Sequence, residues 1–452
     1  MQGAATIDVA KLIDSRPVGR FQIWLFALCA MSLIMDGFDV QAMGYVAPEV
    51  IPELGMSGSE LGAILAAANV GLLIGALLFT VLADRIGRRP VLIFGTFFYA
   101  VMALLTAHAD SPAELLTLRF VAGIGMGSII PNATALIGEY SPKHRRVTLI
   151  MTITVGFTAG AALGGFVAAW LMPLFGWRSV FYFGGVIPLL IGVLMVFQLP
   201  ESLQFLVVRK RFAEVGRWLR RVAPDVPVGP RTEYVVVEES RDGVPVLSLL
   251  RDGRMRVTLL YWAVNFTNLL NLYFLAGLLP TILSRNGFDT STSALIGGAM
   301  QLGGTIGTFG LAWLIAKRGF TPMLMWTFAL AAVSIALIGS STVLAFAPLV
   351  TIVVFVAGWC VIGGQPGLNA LAATYYPTSM RSTGIGWGLG IGRMGAIVGP
   401  FIGGMLLDLD WTAQQLFLVF ALPAVASTLV MVLLHFVLRA PRTALPAQQA
   451  AA

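Results

Sequence analysis

Twelve times along the chain, a run of apolar residues is long enough to cross a bilayer as a helix, which takes about 20 residues. The runs lie near 21–46, 60–82, 90–108, 113–137, 147–172 and 179–199. A polar stretch follows, and then runs near 257–283, 293–315, 322–339, 343–373, 383–407 and 412–438. Hydrophobic residues make up 57% of the 452 and charged residues only 11%, against roughly 25% charged in soluble domains. A soluble protein could not keep so much apolar area off its surface, so lipid must solvate most of this chain. The expected fold class is an all-α polytopic membrane protein with twelve transmembrane helices, in lipid contact throughout.

The first run is not a cleaved leader. It is too long, it contains two aspartates, and no small-residue cleavage site follows it. Cys29 and Cys360 lie inside apolar runs and read as small core residues. His108, His144 and His435 are scattered, so neither a metal site nor a cofactor is expected. No nucleophile–base pair or phosphate loop marks an enzyme.

A net charge of +7 raises the question of nucleic acid, but the placement of the charge answers it. Lys11, Arg16 and Arg20 precede the first run; Arg85, Arg88 and Arg89 follow the second; Lys143, Arg145 and Arg146 follow the fourth. Lys317 and Arg318 follow the eighth, Arg381 the tenth, and Arg439 and Arg442 the last. The alternate loops 47–59, 109–112 and 340–342 have no Lys or Arg. This is a positive-inside pattern, and it predicts both termini in the cytoplasm.

The two sets of six superimpose in sequence. At an offset of 232, Pro48 falls on Pro280, Gly55 on Gly287, Gly71 on Gly303, Gly75 on Gly307 and Pro90 on Pro322. At an offset of 235, Phe120-Val121-Ala122-Gly123 falls on Phe355-Val356-Ala357-Gly358, and Pro131, Tyr140, Pro142 and Arg146 fall on Pro366, Tyr375, Pro377 and Arg381. A duplicated six-helix unit follows, its halves related by an axis along the membrane normal. The expected organisation is a cytoplasmic segment 1–20, a first bundle 21–199, a cytoplasmic linker 200–256, a second bundle 257–438 and a tail 439–452. Within the linker, 205–222 mixes apolar and basic residues as an amphipathic helix on an anionic leaflet would. Residues 223–245, with Pro224, Pro227, Pro230 and Pro245, read as irregular.

Charges within hydrocarbon are costly and usually functional. Asp36 and Asp39 in the first run share a helix face, so they repel, and one is expected to hold a proton near neutral pH. Arg119, at a depth similar to Asp39, is the expected partner. Arg393 lies near mid-membrane in the eleventh run and is the favoured anchor for a substrate carboxylate. The duplication places Asn268 and Asn271 where the first half has Asp36 and Asp39, so proton handling is expected in the first half. Asn268, Asn271, Tyr273, Gln365 and Asn369 are candidate hydrogen-bonding groups for ring substituents, and Trp359 a candidate stacking platform. Asp84, Arg85, Arg88, Arg89, Glu139, Arg145 and Arg146 are candidates for an inner gate that breaks when the halves rock. The glycines at 156, 160, 164, 165, 395 and 399 read as close-packing positions.

The segment Thr80 to Arg89 (TVLADRIGRR) resembles the loop motif between helices two and three of the major facilitator superfamily, with Thr80 in place of the usual Gly. Its counterpart Ala316-Lys317-Arg318-Gly319 lacks the acidic residue. Leu115 to Gly127 resembles the fourth-helix motif, and Leu199 to Leu206 the motif after helix six, with Gln204 where Arg is usual. Asp36 to Pro48 (DGFDVQAMGYVAP) resembles the first-helix signature of the aromatic acid:proton symporter family. The resemblance implies a 6+6 pseudo-twofold fold in the bacterial inner membrane. It also implies import of a hydroxybenzoate-like carboxylate with protons by alternating access, expected as a monomer. Rival readings are efflux, uptake of another organic solute such as a sugar, and a non-transporting membrane sensor.

Overall fold

A computed structural model describes residues 6–225, 232–235, 246–251, 253–377, 379–409 and 411–439. Among them are twelve helices long and apolar enough to span a membrane. The first six are Arg20–Leu54, Gly58–Ile86, Arg88–Thr106, Pro112–Tyr140, Lys143–Phe175 and Arg178–Gln198. The second six are Met255–Arg285, Thr290–Arg318, Phe320–Ile338, Ala347–Tyr375, Arg381–Leu407 and Ala413–Arg439. Large apolar side chains such as Leu77, Trp170, Phe197, Trp326 and Leu422 stay exposed, which only an apolar solvent tolerates in such numbers.

The internal repeat has a physical basis. Gly55 (φ 61°) and Gly287 (φ 92°) end corresponding helix-to-helix turns, and Gly87 (φ 104°) and Gly319 (φ 85°) do the same one helix later. All four need the backbone region that glycine alone enters freely. Gly71 and Gly75 of the second helix lie against Phe120 and Ile124 of the fourth; Gly303 and Gly307 of the eighth lie against Phe355 and Trp359 of the tenth. The matching glycines thus mark the same close helix crossing in each half. The other glycines behave alike: Gly160 meets Ile34, Gly165 meets Gly298, and Gly395 and Gly399 meet Phe266 and Leu270.

Three expectations change. The first helix does not stop near residue 46 but runs through Pro48 and Pro52 to Leu54. Its far end is held by Glu53, which accepts from Trp177 Nε1 at 2.8 Å and pairs with Arg178. The linker helix of 205–222 is two helices, Leu203–Val208 and Phe212–Val222, broken at Lys210 with φ 56°. The apolar side of the second is spent on protein rather than lipid: Val215, Trp218 and Leu219 are buried, and Trp218 stacks on Phe21 with centroids 6.0 Å apart. Within the stretch read as irregular, Glu233–Val235 pairs in parallel with Thr6–Asp8. Pro227, Pro230, Pro245 and Arg442 lie outside the described residues.

The two bundles meet in the half remote from the chain termini. Gly44 of the first helix lies against Ala276 of the seventh, Gly62 of the second against Pro400 and Gly404 of the eleventh, and Gly165 of the fifth against Ala294 and Gly298 of the eighth. Asp408 adds a polar clasp at this end. Its carboxylate accepts from Gly58 N (2.6 Å) and Ser59 N (2.8 Å), the free amides that open the second helix. Asp408→Ala is expected to weaken closure by about 1 kcal/mol, some fivefold in the equilibrium. The check is maleimide labelling of a Leu65→Cys probe from the face remote from the termini. Both native cysteines are buried and give little background.

Candidate functional site

Polar groups converge at the centre of the first bundle. Asp36 and Asp39 are 0% and 1% exposed, and Arg119 is 2% exposed. Arg119 Nη1 donates to Asp39 Oδ2 at 3.0 Å, and Nη2 donates to Thr106 Oγ1 at 2.9 Å. The guanidinium lies 4.9 Å from the Phe181 ring centroid. The pairing expected from depth is therefore present. Asp39 Oδ1, Arg119 Nε and both oxygens of Asp36 have no hydrogen-bond partner among the described residues. Beside them is a cavity of about 30 Å³ that Asp39, Gln41, Asn69, Arg119, Tyr273 and Pro400 help to line. That is room for a water or two, not for an aromatic ring.

Arg393 sits apart from this pair. It is half-buried on the eleventh helix and makes no hydrogen bond or ion pair among the described residues. Its charge acts on both Asp36 and Tyr273, so the first, seventh and eleventh helices converge here. Three glycines of the same helix keep it close to the seventh: Gly392 meets Leu269, Gly395 meets Phe266, and Gly399 meets Leu270.

The other second-half candidates divide. Asn268 Nδ2 donates to Gln365 Oε1 (2.8 Å) and to Val361 O (3.1 Å), and Gln365 Nε2 donates to Asn265 Oδ1 (2.8 Å). These amides tie the seventh helix to the tenth. Asn271 does not join them. With its amide turned to satisfy both atoms, it donates to Phe420 O (2.7 Å) and accepts from Ala424 N (3.0 Å). It therefore serves the twelfth helix, not the space around Arg393. Trp359 is also redirected, its ring covering Gly310 of the eighth helix. Asn369 is half-buried, and among the described residues its side chain accepts one hydrogen bond, from the Tyr261 hydroxyl at 3.5 Å.

The candidate gate takes a different form. Arg88 pairs with Glu139 at 2.6 Å, and Glu139 also accepts from Ser202 Oγ at 2.7 Å. Glu201 Oε1 accepts from Arg88 N (2.8 Å), Arg89 N (3.1 Å) and Ser202 N (2.8 Å), capping the third helix. Arg89 donates to Val196 O, and Arg146 pairs with Asp14 at 3.4 Å. Among the described residues, Arg85 enters only through its carbonyl, which accepts from Arg209. Asp84 and Arg145 are exposed and form no ion pair among the described residues. These contacts join the first bundle to its flanking segments and do not cross to the second.

Sequence reading missed Gln41. Its amide donates to Ala276 O and its oxygen accepts from Gln301 Nε2 at 3.2 Å, so it crosses between the bundles. A polar residue two positions past Asp39, within the same motif, was the available signal.

Comparisons with known proteins agree with this architecture. Residues 29–338 and 261–451 match the family model described as Major Facilitator Superfamily. The chain is 36% identical over 424 residues to the 4-hydroxybenzoate transporter PcaK of Pseudomonas aeruginosa, covering 93% of this chain and 94% of the relative. It is 37% identical over 427 residues to a gallate transporter of Pseudomonas putida, covering 94% of each. The crystal structure of nucleoside transporter NupG superimposes with a TM-score of 0.70 at 13% identity, over 92% of this chain and 99% of that one; that likeness speaks to the fold alone. These relatives are transporters, none an enzyme. With near full-length identity above one third and two overlapping family matches that between them span both bundles, the chain belongs to the major facilitator superfamily, in the family that holds these aromatic acid transporters.

Proposed function

We propose that the protein imports a small aromatic carboxylate, of the hydroxybenzoate type, together with a proton by alternating access. The observation that carries this reading is the guanidinium of Arg393, which lies halfway along the eleventh helix with no hydrogen-bond or ion-pair partner among the described residues, within electrostatic reach of the unpartnered carboxyl of Asp36. A cation within a membrane span and without a partner is costly, and an arylcarboxylate would satisfy it bidentately. Tyr273 and Asn369 would meet ring substituents, while Asn268 and Gln365 are tied to each other between the seventh and tenth helices.

Asp36 and Asp39 would carry the proton, with Arg119 holding Asp39 in place. One proton with one monoanion moves no net charge, so the pH gradient would drive the cycle. Closure remote from the termini, by the glycine crossings and Asp408, represents one limit of the rocking motion. The Arg88–Glu139–Glu201 network would fix the first bundle as a rigid body during that motion, rather than lock the bundles together. The chain would work as a monomer in the cytoplasmic membrane, with both termini inside.

The direct test is uptake of labelled 4-hydroxybenzoate into proteoliposomes, with and without an inward proton gradient. Gallate, benzoate and a sugar serve as competitors. Accumulation that follows the pH gradient and is competed only by aromatic acids is the expected result. Uptake driven by voltage alone, or competed by the sugar, would reject the reading.

A further inference from the structure

A series of side-chain hydrogen bonds runs down the seam between the bundles from the face remote from the termini. Where the eighth helix begins, Thr290 Oγ1 donates to Glu49 Oε1 (3.1 Å) and Ser291 Oγ to Ala169 O (2.9 Å). Near the middle of the eighth and fifth helices, Thr305 Oγ1 donates to Thr158 Oγ1 (3.0 Å). Gln41 of the first helix belongs to this series and differs from the rest. Its Nε2 donates to Ala276 O of the seventh helix, and its Oε1 accepts from Gln301 Nε2 of the eighth at 3.2 Å. Both ends of one amide are thus spent on the second bundle.

Gln41 is buried, and it lines the small cavity that Asp39, Arg119, Asn69 and Tyr273 also line. The contact that shuts the seam is therefore also a wall of the carboxyl site. A primary amide suits this place, because it donates and accepts at once and brings no charge to desolvate. Both of its bonds join opposite bundles, so both break when the bundles part here. An amide left dry and unpaired is costly, so these bonds hold while this face is shut and are exchanged for water when it opens.

We infer that Gln41 is the latch of the carboxyl site: its amide holds the first helix to the seventh and eighth while the face remote from the termini is shut, and its release opens the Asp39 cavity to that face. The latch rests on the alternating-access reading above and is independent of which acid is carried.

The test is labelling of a Leu65→Cys parent by an impermeant maleimide from the face remote from the termini, without substrate. Leu65 lies on the second helix against Gly277 of the seventh. Gln41→Leu should raise the labelling rate about tenfold, as loss of two neutral hydrogen bonds in a membrane bundle would. Gln301→Leu spares the bond to Ala276 and should raise it less. Gln41→Glu gives a readout that packing cannot mimic. Its carboxylate cannot donate to Ala276 O, whereas its carboxyl can. Labelling relative to the parent should therefore be raised at about pH 8 and fall back toward the parent at about pH 5. The charged and titratable groups around Gln41 are Asp39 on its own helix, Arg119 on the fourth and Tyr273 on the seventh, with Asp36 and Arg393 within electrostatic reach of Tyr273. The parent keeps them all, so its own pH profile is the reference. Labelling unchanged in both leucine variants, or raised equally at both pH values in Gln41→Glu, would overturn the latch and leave alternating access standing. Should Gln41→Leu fail to fold, the pH profile of Gln41→Glu decides. A parent probe that never labels, with or without 4-hydroxybenzoate, would remove alternating access and the latch together.

Discussion

Arg393→Ala is expected to lower 4-hydroxybenzoate uptake at sub-saturating concentration about a hundredfold, with little change in the stability of the protein. The size follows from the bonds at stake. A guanidinium holding a carboxylate makes two charge-assisted hydrogen bonds, each contributing about 1.5–3 kcal/mol, and a loss of about 3 kcal/mol is roughly a hundredfold. The stability expectation follows from the structure. Arg393 makes no hydrogen bond or ion pair among the described residues, so removing it breaks nothing and relieves an unpaired charge. Arg393→Lys separates charge from shape: it keeps the cation but loses the planar fork, and should recover uptake only in part. Binding measured by competition, beside unfolding in detergent, checks both expectations. A stable alanine variant with undiminished uptake would assign Arg393 to bracing and move the anchor elsewhere.

The features legible in sequence were those with a steep physical cost. Lipid penalises every exposed polar residue, so the twelve spans stand out from hydropathy alone. The glycine matches between the halves were legible because a positive φ or a backbone contact admits almost no other residue, as at Gly55 and Gly287 or Gly71 and Gly303. The Asp39–Arg119 pair was legible because charges in hydrocarbon are rare enough that two at one depth find each other. Features set by small rotations were not legible. Asn268 and Asn271 are three residues apart and nominally share a face, yet the roughly 60° between them turns one to the tenth helix and the other to the twelfth. Trp359 reads equally well as a stacking platform or as cover for a glycine-lined groove, and only the crossing of the eighth and tenth helices decides. Gln41 belongs to a residue type common in helix bundles, and its importance rests on partners across the bundles that no local pattern displays. The second linker helix lays its apolar side on protein, with Trp218 against Phe21, a surface the amphipathic pattern by itself could not distinguish from a membrane.

Asp39→Asn is expected to abolish gradient-driven accumulation and also to destabilise the protein, unlike Arg393→Ala. The difference lies in the pairing. Asp39 and Arg119 are 0% and 2% exposed at the side chain and 3.0 Å apart. Removing one member leaves the other charge buried and uncompensated, a loss of about 3–5 kcal/mol. That alone would make the single variant uninformative, since any badly destabilised transporter stops working. The double variant Asp39→Asn with Arg119→Gln resolves this. It removes both charges together, keeps hydrogen-bonding side chains of similar size against Thr106, and should regain most of the lost stability, because replacing a whole buried pair is often neutral. If the pair only braces the first helix against the fourth, transport should return along with stability. If Asp39 takes part in proton movement, the double variant should fold well, retain exchange of 4-hydroxybenzoate at equal pH, and accumulate nothing against a gradient. Stability that returns without coupling is the outcome expected here, because Arg119 holds only Oδ2 of Asp39 and leaves Oδ1 without a partner among the described residues, and a purely structural carboxylate has no use for an unpaired oxygen.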